Sequence, residues 1–458
     1  MLTKIKIEDN ERLFYMLITL LSTLLLIDDV KSIVEDVLLV LLSLPLLRRP
    51  VTAIPLIFVA SWNPMFSVFG LGAFYYYFII FFVSMLFSHK QYGEYIGLTR
   101  STLYYLLFGS YIAISGYFSI SHSVDPALKL AITIILAMSV GLFKCRDTNY
   151  VFSCIFLIAI EASLFFFARA LFNPAYYTLD EESFLSGVRP YVSQTLMTQL
   201  NPNSAAQIIV IISTIIIVAL VKMRAKTFLV SILLLMNIYT LIYLGSRTSF
   251  YTLFFVIISY LIYTSNLSIT RKFYLILFSA IIGLITTYYI TSVGSRLVVH
   301  SLMNDYGSGR FLMWGILLEN VIKDYWLHGF GFGSANYRLL GYSFDADNLY
   351  LDLLCQLGII GFSLFLMLHI HLYRRAKSMN AEVPAKDFLT LMVINFLIIG
   401  LGESVFDTTL YWGFIAIACS LSGEEEDVTD DSNLPVSEFT LSGVDGFYAT
   451  KTSNENND

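Results

Sequence analysis

Residues Ile208 to Val221 read IIVIISTIIIVALV, and Leu353 to Leu368 read LLCQLGIIGFSLFLML. Neither run carries a charge; Lys222 closes the first and Asp352 precedes the second. A helix on a soluble domain keeps a polar face, so a run apolar on all sides belongs inside a protein or a bilayer. The rest of the chain extends this reading. It has 458 residues, 57% hydrophobic and only 14% charged, where a soluble domain carries about 25% charged residues. A mean hydropathy of +0.71 leaves too little polar surface to coat a globular protein. In a bilayer the backbone must pair with itself, so either helices or a closed barrel span it. Barrel strands are short and alternate in polarity, whereas these runs are long and do not alternate. The expected fold class is therefore all-α, a polytopic transmembrane helix bundle.

Apolar runs place spans near residues 13–27, 33–47, 51–66, 71–87, 101–120, 127–143, 151–171, 205–221, 228–244, 248–263, 273–290, 349–373, 388–401 and 410–421. That predicts about 12–14 crossings, although several runs are shorter than the ~20 residues a bilayer needs. Orientation follows lysine and arginine in the short connections. With Lys4, Lys6 and Arg12 in the cytoplasm, every second connection is basic: Arg48–Arg49, Lys90 with Arg100, Lys144–Arg146, Lys222–Lys226, Arg271–Lys272 and Arg374–Lys377. Both termini are expected inside. Two outer loops are long, about 172–204 and 291–348, and long loops in compact proteins are usually functional or disordered. Within the second, Gly309 to Trp326 reads as a helix with apolar positions at Trp314, Leu317, Leu318, Val321 and Tyr325. That spacing suits a helix on the membrane face or one packed on the bundle.

The chain divides into a membrane domain, 1–422, and a tail, 423–458. The tail holds ten acids and Lys451 as its only base, a composition expected to stay disordered in the cytoplasm. A solvated tail is the simpler reading, regulator binding the other. No small-residue cleavage site follows Ile27, so the first apolar segment does not read as a cleaved signal peptide. Cys154, Cys355 and Cys419 fall inside apolar runs, and Cys145 in a short basic loop. No pair lies in an outer loop, so a disulfide framework is not expected.

No P-loop, Rossmann glycine pattern, Gly-x-Ser-x-Gly or His/Cys cluster is visible. No metal or other cofactor is expected, and nothing points to nucleic acid as a partner. What remains lies on the outer side. Arg189 is in the first long loop, Arg247 follows Gly245-Ser246, Arg296, Arg310 and Arg338 are in the second, and Arg169 lies near an outer span end. One such arginine usually snorkels, but several on one face match phosphate oxygens in pairs. The second loop also holds Gly329-Phe330-Gly331-Phe332-Gly333, where glycines permit close approach to a ligand or a tight turn. Asp345, Asp347 and Asn348 precede the next span. An acid there could take a proton from a sugar hydroxyl, or cap the helix. Glu161, mid-span, is a functional candidate by position, or a buried hydrogen-bonding group; Arg169, two turns on, shares its face but lies too far for a direct pair.

These pieces in order resemble the O-antigen polymerase and O-antigen ligase superfamily. Asn201-Pro202-Asn203 before a span is the first block and Gly245-Ser246-Arg247 the second. The third combines Arg310, Trp314, Gly329-x-Gly331-x-Gly333, Asp347-Asn348-x-Tyr350-Leu351 and Gly358-x-x-Gly361. Where the family usually shows His-Asn, this chain has Asp347-Asn348, a departure that favours the polymerase branch over the ligase. The resemblance implies a bacterial inner-membrane glycosyltransferase that joins undecaprenyl-pyrophosphate-linked oligosaccharide units at the periplasmic face, with membrane lipid as its setting. A chain-length regulator and a flippase are implied partners. It further implies Arg247, Arg310 and Asp347 as catalytic residues, with Arg189, Arg296, Arg338, Asn203, Asn348 and Gly331 binding substrate. A ligase acting on an acceptor such as lipid A core is the alternative. A flippase for lipid-linked oligosaccharides would be expected to show internal repeats, and no clear repeat is present; an ion-coupled transporter, motivated by Glu161, is a further rival.

Overall fold

The computed structural model describes residues 9–27, 32–62, 66–87, 100–121, 124–143, 145, 148–172, 202–222, 227–244, 246–264, 310–333, 335–341, 346–379, 384–406 and 408–421. Nearly all of them are helical. The helices are α1 (Asp9–Ile27), α2 (Ile33–Ser43), α3 (Ile54–Ala60), α4 (Ala73–Phe87), α5 (Arg100–Tyr117), α6 (Asp125–Gly141), α7 (Thr148–Phe172), α8 (Pro202–Lys222), α9 (Thr227–Leu244), α10 (Arg247–Thr264), α11 (Arg310–Ile316), α12 (Lys323–Tyr325), α13 (Ala335–Leu339), α14 (Leu349–Ser378), α15 (Pro384–Ile399) and α16 (Thr409–Leu421). The strands among the described residues, Ser67–Val68 and Leu71–Gly72, form one small antiparallel hairpin. This is an all-α membrane helix bundle.

Three of the described helices are long and apolar enough to cross a bilayer by themselves: α7, most of α8 and α14. The expected spans at 33–47 and 51–66 are not separate full crossings. α2 has 11 residues and α3 has 7, about 16 and 10 Å at 1.5 Å per residue against a hydrocarbon core of about 30 Å. Prolines explain the interruption. Pro45 and Pro50 each begin a short 3-10 turn, because proline lacks the amide that would continue an α-helix. The span expected at 273–290 lies outside the described residues.

The run quoted first becomes the centre of the bundle. α8 packs against α7, α9, α10 and α15, and 83% of its apolar segment is buried in protein. A helix surrounded on all sides needs no polar face, which is why its sequence has none. Two adjacent hydroxyl residues in its middle tie it to neighbours. Ser213 Oγ accepts from Asn237 Nδ2 of α9 at 3.0 Å, and Thr214 Oγ1 accepts from Asn395 Nδ2 of α15 at 2.9 Å. Such bonds are worth about 1 kcal/mol in a membrane, and they fix register where apolar packing alone does not. His369 of α14 makes a comparable tie to α16: its Nε2 lies 2.7 Å from the Tyr411 hydroxyl and its Nδ1 2.9 Å from the Phe365 carbonyl.

Glu161, on α7, is expected to find a hydrogen bond on a neighbouring helix. Both of its carboxylate oxygens are buried, and neither has a hydrogen-bond partner among the described residues. Arg169 on the same helix lies over the Phe165 ring, 4.9 Å from its centroid. Cys145, Cys154 and Cys355 are buried.

Candidate functional site

Gly358 sits inside α14 with φ +63° and ψ −169°, which breaks the helical hydrogen-bond ladder at that point. The broken ladder leaves backbone groups that must find other partners. The chain after α12 supplies them. Ile359 N–H donates to the Trp326 carbonyl at 2.8 Å and Ile360 N–H to that of Leu327 at 3.3 Å. In return Phe330 N–H donates to the Cys355 carbonyl at 2.9 Å and Gly331 N–H to that of Gln356 at 3.1 Å. The Tyr111 hydroxyl of α5 donates to the Leu357 carbonyl at 2.9 Å. The glycines are the condition for this contact. A Cβ on Gly358 would lie 2.4 Å from the Leu327 carbonyl carbon, and one on Gly329 2.3 Å from that of Gln356. Gly331 has φ +94°, and a Cβ there would meet Ser119 Cα at 2.3 Å. The close approach that these glycines permit is therefore to the protein's own backbone.

The helix expected at 309–326 forms as α11, a π-helical turn Leu317–Ile322 and α12. Of the two placements open to it, the structure shows packing against α14. Leu317 is buried with Phe330, Tyr337, Ala346 and Cys355, and Trp314 Nε1 donates to the Ala346 carbonyl at 2.8 Å.

Asp352, one turn into α14, is the hub of this region. Its Oδ1 accepts from the Tyr337 hydroxyl at 2.6 Å and from Gln356 Nε2 at 2.6 Å, and its Oδ2 accepts from the Ser404 hydroxyl. Gln356 Oε1 in turn accepts from Gly333 N–H at 2.9 Å. Burial and the adjacent Asp352 carboxylate hold the Tyr337 hydroxyl well above its ordinary pKa, so it stays protonated and keeps donating. Asn336 completes the loop: its Nδ2 donates to the Gly331 carbonyl at 2.8 Å, while its Oδ1 accepts from Ser119 Oγ at 2.9 Å and Ser121 N–H at 2.8 Å.

Three helix N-termini meet at the turn between α15 and α16, residues 400–404. At α14, Leu349 N–H donates to the Gly400 carbonyl at 2.8 Å and Asn348 Nδ2 to that of Leu401 at 2.9 Å. At α10, a Cβ on Gly402 would lie 2.7 Å from Thr248 Oγ1. At α8, Asn203 Nδ2 donates to Glu403 Oε1. Helix N-termini carry partial positive charge and unpaired amides. The turn thus gathers Asn203, Thr248 and Asn348, which lie 45 to 145 residues apart in the sequence.

The remaining candidates fall as follows. Arg247 is the first residue of α10 and Arg310 the first of α11; their side chains lie outside the described set. Arg189 and Arg296 lie wholly outside it, as does Asp345. Arg338 is exposed on α13. Asn348 is the N-cap of α14, its Oδ1 accepting from Tyr350 N–H at 3.0 Å and Leu351 N–H at 3.1 Å. Asp347 precedes the cap with φ +46° and is partly exposed; aspartate is among the few residues that tolerate this conformation. Sequence reading passed over Asp352, Tyr337, Gln356, Asn336, Glu403 and Ser404. The one available signal was a Gly-Glu-Ser triplet between two apolar runs.

A family model described as O-antigen ligase matches residues 229–366. The match runs from α9 through α10 and the glycine loop to Gly361 of α14, and it supports the O-antigen ligase and polymerase superfamily. No curated protein matches the chain.

Proposed function

From that match and the meeting of three helix N-termini, we propose that this chain is a bacterial surface-polysaccharide polymerase. It joins undecaprenyl-pyrophosphate-linked repeat units at the periplasmic face of the inner membrane, both termini lying in the cytoplasm. The observation that carries the reading is the position of two arginines. Arg247 and Arg310 each open a helix, where a cation is disfavoured by about 0.3–1 kcal/mol against the dipole. A bound pyrophosphate reverses that sign, since its oxygens accept from both the guanidinium forks and the exposed amides. Pyrophosphate is a good leaving group, so the main demand on the protein is fixed positive charge aimed at its developing anion. Arg338, Arg189 and Arg296 are further candidates for binding the same substrate. Asn203, Asn348 and Gly331 shape the floor of the site, two by hydrogen bonds to the 400–404 turn and one by seating the loop on α5. Asp347 is the first candidate to accept the proton of the acceptor hydroxyl. A flippase that delivers the unit and a regulator of chain length are the partners such an activity needs.

Ligation is the second reading, favoured by the description of the matched family. Asp347, in place of the histidine usual in the family, argues for polymerisation. The test is a gel of surface polysaccharide from a deletion strain complemented with wild type or Arg247→Ala. Polymerase activity predicts single repeat units on the lipid A core after deletion, a ladder restored by wild type, and no ladder with Arg247→Ala. If no repeat unit reaches the core after deletion, ligation or flipping is the lost step.

A further inference from the structure

We infer that Glu403 is a further catalytic residue, the carboxylate that receives the acceptor hydroxyl's proton, with Asn203 as its positioning residue. The assignment rests on the glycosyl-transfer reading above and deepens it. Three observations support it. Glu403 belongs to the turn that, among the described residues, touches the N-termini of α8, α10 and α14. Asp347 belongs to the N-terminus of α14 alone, so Glu403 replaces it as the first candidate for this proton. The Glu403 carboxylate is oriented by a neutral amide, Asn203 Nδ2, from a helix two hundred residues away in sequence. That bond fixes the direction in which the carboxylate points. The turn itself is held still. Ser404 donates to Asp352, Gly400 and Leu401 accept from α14, and Gly402 leaves no room for a side chain against Thr248. Glu403 is partly exposed at the end of this rigid turn.

In the step this implies, the acceptor O–H bond breaks and its proton moves to Glu403. The hydroxyl oxygen forms a bond to the anomeric carbon of the donor. The bond from that carbon to the pyrophosphate oxygen breaks, and its electron pair leaves on undecaprenyl pyrophosphate. Glu403 then releases the proton to water. No oxidant, reductant or co-reactant enters.

The test uses full-length protein in proteoliposomes, with lipid-linked oligosaccharide extracted from the deletion strain. Glu403→Gln keeps size and the Asn203 hydrogen bond but cannot take the proton. Its turnover should fall about 100-fold or more, the scale of a lost general base, with KM within threefold of wild type. Asn203→Ala should lower kcat less, and Glu403→Asp should recover part of the activity lost in Glu403→Gln. A merely structural role would not divide kcat from KM in this way, nor respond to the shorter acid. Should Glu403→Gln melt early in detergent, Glu403→Asp and Asn203→Ala decide the matter on the same two parameters. Glu403→Gln turning over within threefold of wild type while Arg247→Ala is dead overturns this assignment and leaves the function standing. Wild type that forms no glycosidic bond from the extracted lipid overturns the function and, with it, this role for Glu403.

Discussion

Gly358→Ala is expected to open the contact between the broken α14 and the glycine loop. The native backbone at this position lies in a region essentially reserved for glycine, and an alanine there stores about 1–3 kcal/mol. The new Cβ would also sit 2.4 Å from the Leu327 carbonyl carbon. That neighbour is backbone and has no rotamer with which to move away. The loop must therefore lift, which puts at risk the bonds Ile359 to Trp326, Ile360 to Leu327, Phe330 to Cys355 and Gly331 to Gln356. Each is worth about 0.5–1.5 kcal/mol, so with the strain the loss is at least about 3 kcal/mol. At about 2 °C or more per kcal/mol, melting in detergent should fall by about 6 °C or more. Cys355 supplies a local probe, since its thiol is buried in the cluster beneath Phe330. In a background retaining only that cysteine, a thiol-reactive dye should label Gly358→Ala well below the temperature at which it labels the parent. Gly315→Ala is the control, because a Cβ there meets nothing within 4 Å and helix propensity favours it by up to about 1 kcal/mol. If Gly358→Ala melts and labels like the parent, the helix break is not what seats the loop, and the four backbone bonds around it do not hold α14 to the glycine loop.

Asp352→Ala would strand the Tyr337 hydroxyl, Gln356 Nε2 and the Ser404 hydroxyl in a buried space; it should cost about 3 kcal/mol or more, read as a lower melting temperature, with Asp352→Asn retaining part of the difference. Asn348→Ala removes the cap of α14 and the bond to Leu401, and a fall in stability of about 1–2 kcal/mol is expected; Asn348→Asp should recover only part of it, because it restores the acceptor at the cap but not the donor to the Leu401 carbonyl. Asn395→Leu should destabilise by only about 1 kcal/mol, since a single interhelical bond to Thr214 is lost while apolar packing is kept; a loss several times larger would show that the amide does more than tie α15 to α8.

Much of the fold was legible in the chain, and the way it was legible explains the failures. Ile208–Val221 announces a fully buried helix because each residue contributes its own transfer free energy, and the sum needs no knowledge of neighbours. The same sum misread residues 33–66. It counts apolar side chains but not the amides missing at Pro45 and Pro50, which end the helices there. The candidate site was legible as three separate blocks of residue types. Arginine, asparagine and glycine at the ends of apolar runs point to an anion and a close approach, since those properties belong to single residues.

How the blocks meet is a property of the packed bundle. Asn203 and Glu403 come together because α8 and α15 pack side by side, and no spacing rule reaches across two hundred residues. Gly331 could be read in the sequence as room for a ligand; only the fold shows that the room is filled by Ser119. Asp352 looks like one more acid at a helix start until three donors from three segments converge on it. Residue order alone settles the solvent, the helices and the chemical vocabulary, because these are local and additive. Which of those residues face one another depends on how whole helices dock, and docking energy exists only once the surfaces touch.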